Sequence, residues 1–345
     1  MKIKLGFLGG GESSIAGRVH LIASQMENKF EVIGGIFSKN KKRSVKSAEL
    51  YNVKNFNSIA EMAEEVDIIV ILTPTPEHFE NIKEVLHYNV GIIVDKPLVS
   101  NTEELKKLNF NNKFLAVTYN YSGYPLIREM KEYVKRGLLG DINKVVINMY
   151  QESFLKPLTS KYPQKWRLKD SNISMLELDL GVHVYHLAYF LLAEKLELLY
   201  KQTNKFSNYG IIDDCEIFAK SANVFVKLGI SKVMLGNINP LEVQIYGQKA
   251  AIKWSQDDCE NIYVTYNDGK REIINRGNAK FEANKKRYQR MAPGHPSGFI
   301  EAFANLYDDI YDAYIQFLKT GNFQNDYVYG FEHSYDILRF FEYEG

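Results

Sequence analysis

Three side chains in this sequence are of the types that oxidation of an alcohol requires. Lys96 stands in "GIIVDKPLVS", where an apolar run of Ile92, Ile93 and Val94 stops on Asp95, Lys96 and Pro97. A lysine at such a strand end can donate hydrogen bonds to a developing alkoxide. Asp179 and His183 lie four apart in "ELDLGVHVYHLAYFLL", so a helix places them on one face. An imidazole titrates nearest neutrality, which suits His183 to take a hydroxyl proton while hydride leaves the same carbon. Asp179 could orient substrate or support the imidazolium charge. Taken singly, each has a plainer reading: a lysine paired across a loop, or a histidine satisfied inside a packed helix. His186 follows three residues on, but no thiolate or further carboxylate set completes a coordination sphere, so no metal site is expected.

The elements that would carry these residues follow from periodicity. A short β-branched run bounded by Gly91 and Pro97 is a strand covered on both faces, as in a parallel sheet, and ligands bind such sheets beyond the carboxyl ends of the strands. The first third alternates strand and helix signals from "KIKLGFLG" through "FEVIGGIF", "VDIIVILTP" and "EHFENIKEVLHY" to "FLAVTYNY". Right-handed crossovers then give a doubly wound α/β domain over residues 1–121. After Tyr121 comes a helix in "YPLIREMKEYVKRGLLG", then consecutive strand runs such as "INKVVINMYQ", "DDCEIFAKSANVFVKLGI" and "KVMLGNINPLEVQIYG". These predict an α+β domain with a large, mostly antiparallel sheet over residues 122–345, closed by helices near 296–321 and at the end.

Gly9, Gly10 and Gly11 fall between the first strand and the first helix, with Ser14 at the third fingerprint position and Gly17 one turn later. Glycines there let backbone N–H groups approach a pyrophosphate at the positive end of a helix. The second strand ends on Ser38, followed by Lys39, Lys41, Lys42 and Arg43, where an acid would bind the ribose of NAD. A hydroxyl with cations favours NADP over NAD. "WRLKD" places Trp166 and Arg167 where a polyhydroxyl substrate could be hydrogen-bonded, although a surface turn would read the same way.

Composition narrows the class. The 345 residues are 45% hydrophobic and 25% charged, with a formal net charge of +1, so neither nucleic acid nor an acidic membrane is an expected partner. Two cysteines, Cys215 and Cys259, provide no disulfide framework, and the amino terminus is too short in apolar residues for a signal peptide. A cytoplasmic protein is expected.

The set "GGGESSIAG", "ILTPTPEHF", "VDKPL" and "DLGVH" resembles the glucose-fructose oxidoreductase, inositol dehydrogenase and rhizopine-catabolism family of NAD(P)-dependent oxidoreductases. "VTYNYSGYP", "EVQIYGQKAAIKW" and "GHPSGFIEAFANLY" extend the likeness over nearly the whole chain. The resemblance implies catalytic roles for Lys96, Asp179 and His183, which in that family face one another across the nicotinamide, and often a cis Lys-Pro bond. It implies cofactor contacts from Gly9, Gly11, Ser13, Ser14, Ser38, Lys39, Arg43, Thr73, Pro74, Thr75, His78, Asp95 and Lys96, with Thr73, Pro74 and Thr75 at the nicotinamide ribose. Tyr121, Tyr124 and His295 are implied near the substrate. The chain departs from the pattern at Asp95, where glutamate is usual, and at Met175, Leu176 and Glu177, where a glycine-rich segment is common.

The function expected is hydride transfer between NADP or NAD and a secondary alcohol or ketone of a sugar, cyclitol or nucleotide-linked sugar. An NAD-dependent glycosidase on the same scaffold and a non-catalytic cofactor-binding regulator are the alternatives. The second sheet is expected to have one face open, and the resemblance implies that this face is a subunit interface, so a homodimer or homotetramer is expected.

Overall fold

A computed structural model describes residues 2–155 and 163–342. The chain forms two compact units, Met1–Gly123 with Phe299–Tyr335, and Tyr124–Gly298 with Asp336–Gly345.

In the first unit, β1 (Ile3–Gly9), β2 (Phe30–Ile36), β3 (Lys54–Asn55), β4 (Ile68–Leu72), β5 (Gly91–Asp95) and β6 (Leu115–Thr118) form one sheet in the order 3-2-1-4-5-6. All pairings are parallel. This is the doubly wound arrangement, whose ligand crevice opens where the order reverses, between β1 and β4. The strand β4, Ile-Ile-Val-Ile-Leu, is buried at every position, as a sheet covered on both faces requires. The crossovers are α1 (Ile15–Gln25), α2 (Lys41–Tyr51), α3 (Ile59–Ala63), α4 (His78–Val85) and α5 (Thr102–Lys106).

One covering helix comes from much later in the chain. The 22-residue α8 (Phe299–Thr320) contributes Phe303, Tyr307, Ile310 and Tyr314 to the core that also holds Phe7, Phe30 and Ile68. Its Asn305 side chain donates to the Gly123 carbonyl at 2.8 Å, and Tyr314 donates to the Asp67 carbonyl at 3.2 Å. A boundary at 121 assigns this helix to the second domain, whereas its apolar stripe packs on the parallel sheet.

The second unit holds an eight-stranded sheet of β7 (Ile142–Tyr150), β8 (Glu197–Asn204), β9 (Asp214–Ser221), β10 (Val224–Ser231), β11 (Leu241–Gly247), β12 (Ala250–Ser255), β13 (Ile262–Tyr266) and β14 (Arg271–Ile274). Its order is 14-13-12-11-7-10-9-8, antiparallel throughout except for the β7–β10 pair. Period-two alternation buries Val145, Ile147 and Met149 with Val243, Ile245, Ile252 and Trp254 on one face, beneath α6 (Pro125–Lys135) and α7 (Val182–Leu192). The other face carries Tyr200, Phe225, Tyr263 and Ile273, all exposed. The chain ends in α9 (Phe331–Glu342). The edge strands β8 and β14 escape a hydrophobic-pattern reading because "ELLYKQTN" and "REII" are polar or short, as edges often are. Among the described residues no helix is long and apolar enough to cross a membrane.

Candidate active site

The glycine turn leaves β1 with left-handed backbone at Gly9 (φ +88) and Gly10 (φ +72), a region that side chains disfavour. A Cβ on Gly9 would lie 2.7 Å from the Thr73 nitrogen at the end of β4, and one on Gly11 2.8 Å from the Phe37 carbonyl oxygen after β2. The closest approach is at Gly17, where a Cβ would fall 1.9 Å from the Gly10 oxygen. Gly17 therefore provides the tight helix-to-turn packing that the spacing assigns to Ser14. Ser14 is instead the N-cap of α1, its Oγ accepting from the Gly17 N–H at 3.0 Å. A turn that tolerates no Cβ, opening onto a helix N-terminus at the switch point of the sheet, fits a dinucleotide pyrophosphate.

Around this turn the polar residues are already organised. Arg43 donates to the Ser13 Oγ at 3.1 Å, and Lys46 pairs with Glu12 at 2.9 Å. Ser38 Oγ accepts from the Asn40 N–H at 3.2 Å, while the largely exposed Lys39 pairs with Glu77 at 2.9 Å. Of the cations after β2, Arg43 and Lys46 therefore reach the turn, at Ser13 and Glu12, and Lys39 is turned toward Glu77.

The ends of β4 and β5 are tied together by His78. Its Nε2 lies 2.8 Å from the Thr73 carbonyl and its Nδ1 2.9 Å from the Pro97 carbonyl. Thr73 Oγ1 accepts from Asn81 at 2.7 Å, and Pro74 leads into a 3-10 turn over Thr75–Glu77 with Thr75 buried. At the end of β5, Asp95 Oδ1 accepts the Lys96 N–H at 2.9 Å and the Thr118 hydroxyl at 3.1 Å. The Lys96–Pro97 bond is cis. Tyr121 is buried in the turn Asn120–Gly123, its ring 6.0 Å from that of Phe299.

Sequence reasoning passes over His20. It is fully buried on α1, with Nδ1 2.7 Å from the Tyr307 hydroxyl and Nε2 4.0 Å from Asp95 Oδ1. Burial lowers its pKa to about 4 against the opposing pull of Asp95, so the ring is neutral. No local signal could have found this cluster, because Tyr307 is 287 residues away.

In the second unit, Asp179 does not lie on a regular α-helix. Glu177–Gly181 is a π-helical turn that leads into α7 and His183. Such bulges widen the hydrogen-bond ladder by one residue and concentrate at functional sites. The turn is braced by Glu177, a buried carboxylate that accepts from the Ser174 N–H at 2.9 Å, the Ser174 hydroxyl at 2.7 Å and Lys201 at 2.8 Å. Asp179 Oδ2 accepts from Lys232 Nζ at 2.7 Å and from Arg167 Nη1 at 2.8 Å. Lys232 is buried, and the Arg167 guanidinium stacks 4.3 Å over the Trp166 ring. Arg167 thus belongs to the Asp179 cluster. An oxygen already committed to two cationic donors orients its surroundings rather than taking a proton.

Lys232 was missed because "SKVMLG" reads as strand, whereas β10 ends at Ser231 and residues 232–240 form a connection. His183 and His186 are both buried on α7. Tyr124 is the N-cap residue of α6 and packs 5.1 Å from the Trp254 ring, at 1% exposure. His295 is exposed on a loop whose backbone is fastened by Arg276: Nη2 donates to the His295 carbonyl at 2.6 Å, while Nε bonds both Glu260 oxygens at 3.0 Å.

Residues 3–111 match the oxidoreductase family with an NAD-binding Rossmann fold, and residues 127–253 match the GFO/IDH/MocA C-terminal domain. The uncharacterized oxidoreductase YfiI of Bacillus subtilis is 25% identical over 329 residues, 88% of this chain and 84% of its own. The galactose/lactose metabolism regulatory protein GAL80 of Kluyveromyces lactis is 27% identical over 164 residues, 42% of this chain and 36% of its own. An inositol dehydrogenase homolog of Azotobacter vinelandii, solved with NADH and myo-inositol, superposes with a TM-score of 0.87 at 20% identity, covering 99% of this chain and 94% of its own.

Proposed function

Because the chain belongs to the GFO/IDH/MocA family of NAD-binding oxidoreductases, we propose that it transfers hydride between NADP or NAD and a secondary alcohol or ketone of a sugar, cyclitol or nucleotide-linked sugar. The observation that carries this reading is the strand end Asp95–Lys96, fixed by the Lys96 N–H and Thr118 at the carboxyl end of a parallel strand buried from Gly91 to Val94. The inositol dehydrogenase homolog and its bound myo-inositol support a polyhydroxyl substrate.

When bound, the nicotinamide supplies the hydride acceptor or donor. Lys96 donates to the oxygen of the reacting carbinol and stabilises it as its charge grows. His183 takes the hydroxyl proton, and Asp179, held by Lys232 and Arg167, orients the substrate. Gly9, Gly11, Ser13 and Ser14 border the pyrophosphate, and Thr73, Pro74, Thr75 and His78 the nicotinamide end. Tyr121, Tyr124, Trp166, Arg167 and His295 are assigned to the substrate. Arg43, reaching across to Ser13, with Ser38 in place of an acid, supports NADP over NAD.

Titrating nucleotide-free protein with NADPH and then NADH by fluorescence, followed by a panel of sugars and inositols read at the nicotinamide absorbance, tests this reading. Turnover that falls by about 10²–10³ in Lys96→Ala and in His183→Ala supports it. Failure to bind either nucleotide overturns it. The GAL80 relative favours a cofactor-binding regulator as the second reading; nucleotide binding without turnover across the whole panel would select it. The exposed apolar face of Tyr200, Phe225, Tyr263 and Ile273 supports a homodimer or homotetramer, which light scattering from a monomer at micromolar concentration would refute.

A further inference from the structure

A histidine sealed in the core beside the lysine-bearing strand has no role in the reaction just described. His20 is packed edge-on against Phe303 (4.9 Å) and Tyr307 (5.7 Å), with none of its side chain exposed. Its Nδ1 is satisfied by Tyr307. Its Nε2 has no hydrogen-bond partner among the described residues, and Asp95 Oδ1 lies 4.0 Å away. The tautomer follows from charge. If Nδ1 carried the proton, the Nε2 lone pair would point at a carboxylate oxygen; with Tyr307 donating to Nδ1, the proton sits on Nε2 and faces Asp95. We assign the second form.

A buried N–H left without an acceptor is destabilising, a penalty that an apolar side chain in the same place would avoid. The distance to Asp95 exceeds an ordinary N–H···O contact by about 1 Å. Asp95 Oδ1 is also the atom that holds the Lys96 N–H. His20 is on α1, the helix whose N-terminus receives the glycine turn. It therefore links the helix that meets the nucleotide to the carboxylate that sets Lys96.

We propose that His20 is a positioning residue coupling nucleotide binding to the placement of Lys96: when a dinucleotide seats at the N-terminus of α1, the His20 Nε2–H closes onto Asp95 and fixes the strand end. The proposal rests on the nucleotide reading above. Two amide variants separate the two ring nitrogens. His20→Asn keeps an acceptor near Nδ1 and loses the donor toward Asp95, whereas His20→Gln keeps an N–H near Nε2.

His20→Asn should bind NADPH or NADH with a Kd within about threefold of the parent and lose kcat by about 10²-fold, the scale of a misplacement of about 1 Å. His20→Gln should recover most of that kcat. A nitrogen-15 histidine spectrum of the unsubstituted protein provides a readout apart from turnover, and applies even if a variant fails to fold. Saturating nucleotide should move the His20 Nε2–H proton downfield. An unchanged His20 resonance at saturation, or equal kcat losses in the two variants, overturns the coupling while leaving the dehydrogenase reading intact. Failure of both nucleotides to bind removes both.

Discussion

Asp95 and Asp179 are both assigned to the chemistry, yet they are held in opposite ways. Asp95 ends a β-strand and, among the described residues, accepts from two neutral donors, the Lys96 N–H and the Thr118 hydroxyl. Asp179 sits on a π-helical turn and accepts from two cations, Lys232 and Arg167. The first carboxylate is placed by backbone geometry, so its position survives loss of its charge. The second is placed by charges that lie far apart in sequence, and each member leaves a penalty behind when another is removed.

Isosteric amides give the sharpest test of that difference. Asp179→Asn removes the negative charge that buried Lys232 and Arg167 share, so urea unfolding should show a loss of about 3 kcal/mol and turnover should fall by about 10³-fold. Equal stability of the parent and Asp179→Asn would break the comparison. Asp95→Asn retains an oxygen for both of its donors and should cost only about 1 kcal/mol, with kcat within about tenfold of the parent.

Acid probes the surroundings of Asp95. His20 is neutral in the fold with a pKa of about 4, against an ordinary value near 6.5, and burial lowers His333 to about 3. Between pH 6.5 and 4 the unfolded chain takes up protons that the folded state refuses, so stability falls as pH falls through this window and is complete above it. The His20 contribution is about 3 kcal/mol. Urea midpoints at pH 7 and pH 4.5 should therefore converge in His20→Gln relative to the parent, and an unchanged difference would show that His20 is not held neutral.

The smallest effect lies at the nucleotide end, where a cation rests on a neutral acceptor. Arg43→Ala should raise the Kd of NADPH by about tenfold and that of NADH by less than about threefold. Equal changes for both nucleotides would detach Arg43 from the 2′-phosphate and sharpen the case for NAD.

Local patterns made the first unit readable. The strand β4 is apolar at every position, three glycines run between a strand and a helix, and Asp-Lys-Pro marks a strand end; each signal spans ten residues or fewer. Where the physics was not local, the reading failed. The close packing that the spacing assigns to Ser14 falls to Gly17, since only packing shows that a Cβ at Gly17 would come within 1.9 Å of the Gly10 oxygen. The apparent strand through "SKVMLG" stops at Ser231 so that Lys232 can reach Asp179, a partner 53 residues away. The uniform helix expected through Asp179 is a π-turn because Glu177 is drawn in by Ser174 and Lys201.

By itself, the sequence determined the alternation of strands and helices, the glycine turn, and the residue types able to move a proton and hold an alkoxide, because these depend on neighbours a few positions apart. The tertiary structure alone decided that α8 covers the parallel sheet, that Lys232 and Arg167 converge on Asp179, and that His20 comes to rest beside Asp95. Those contacts join residues separated by 12 to 287 positions. Side-chain burial and charge pairing at that range depend on where the chain returns in space, which no local periodicity encodes.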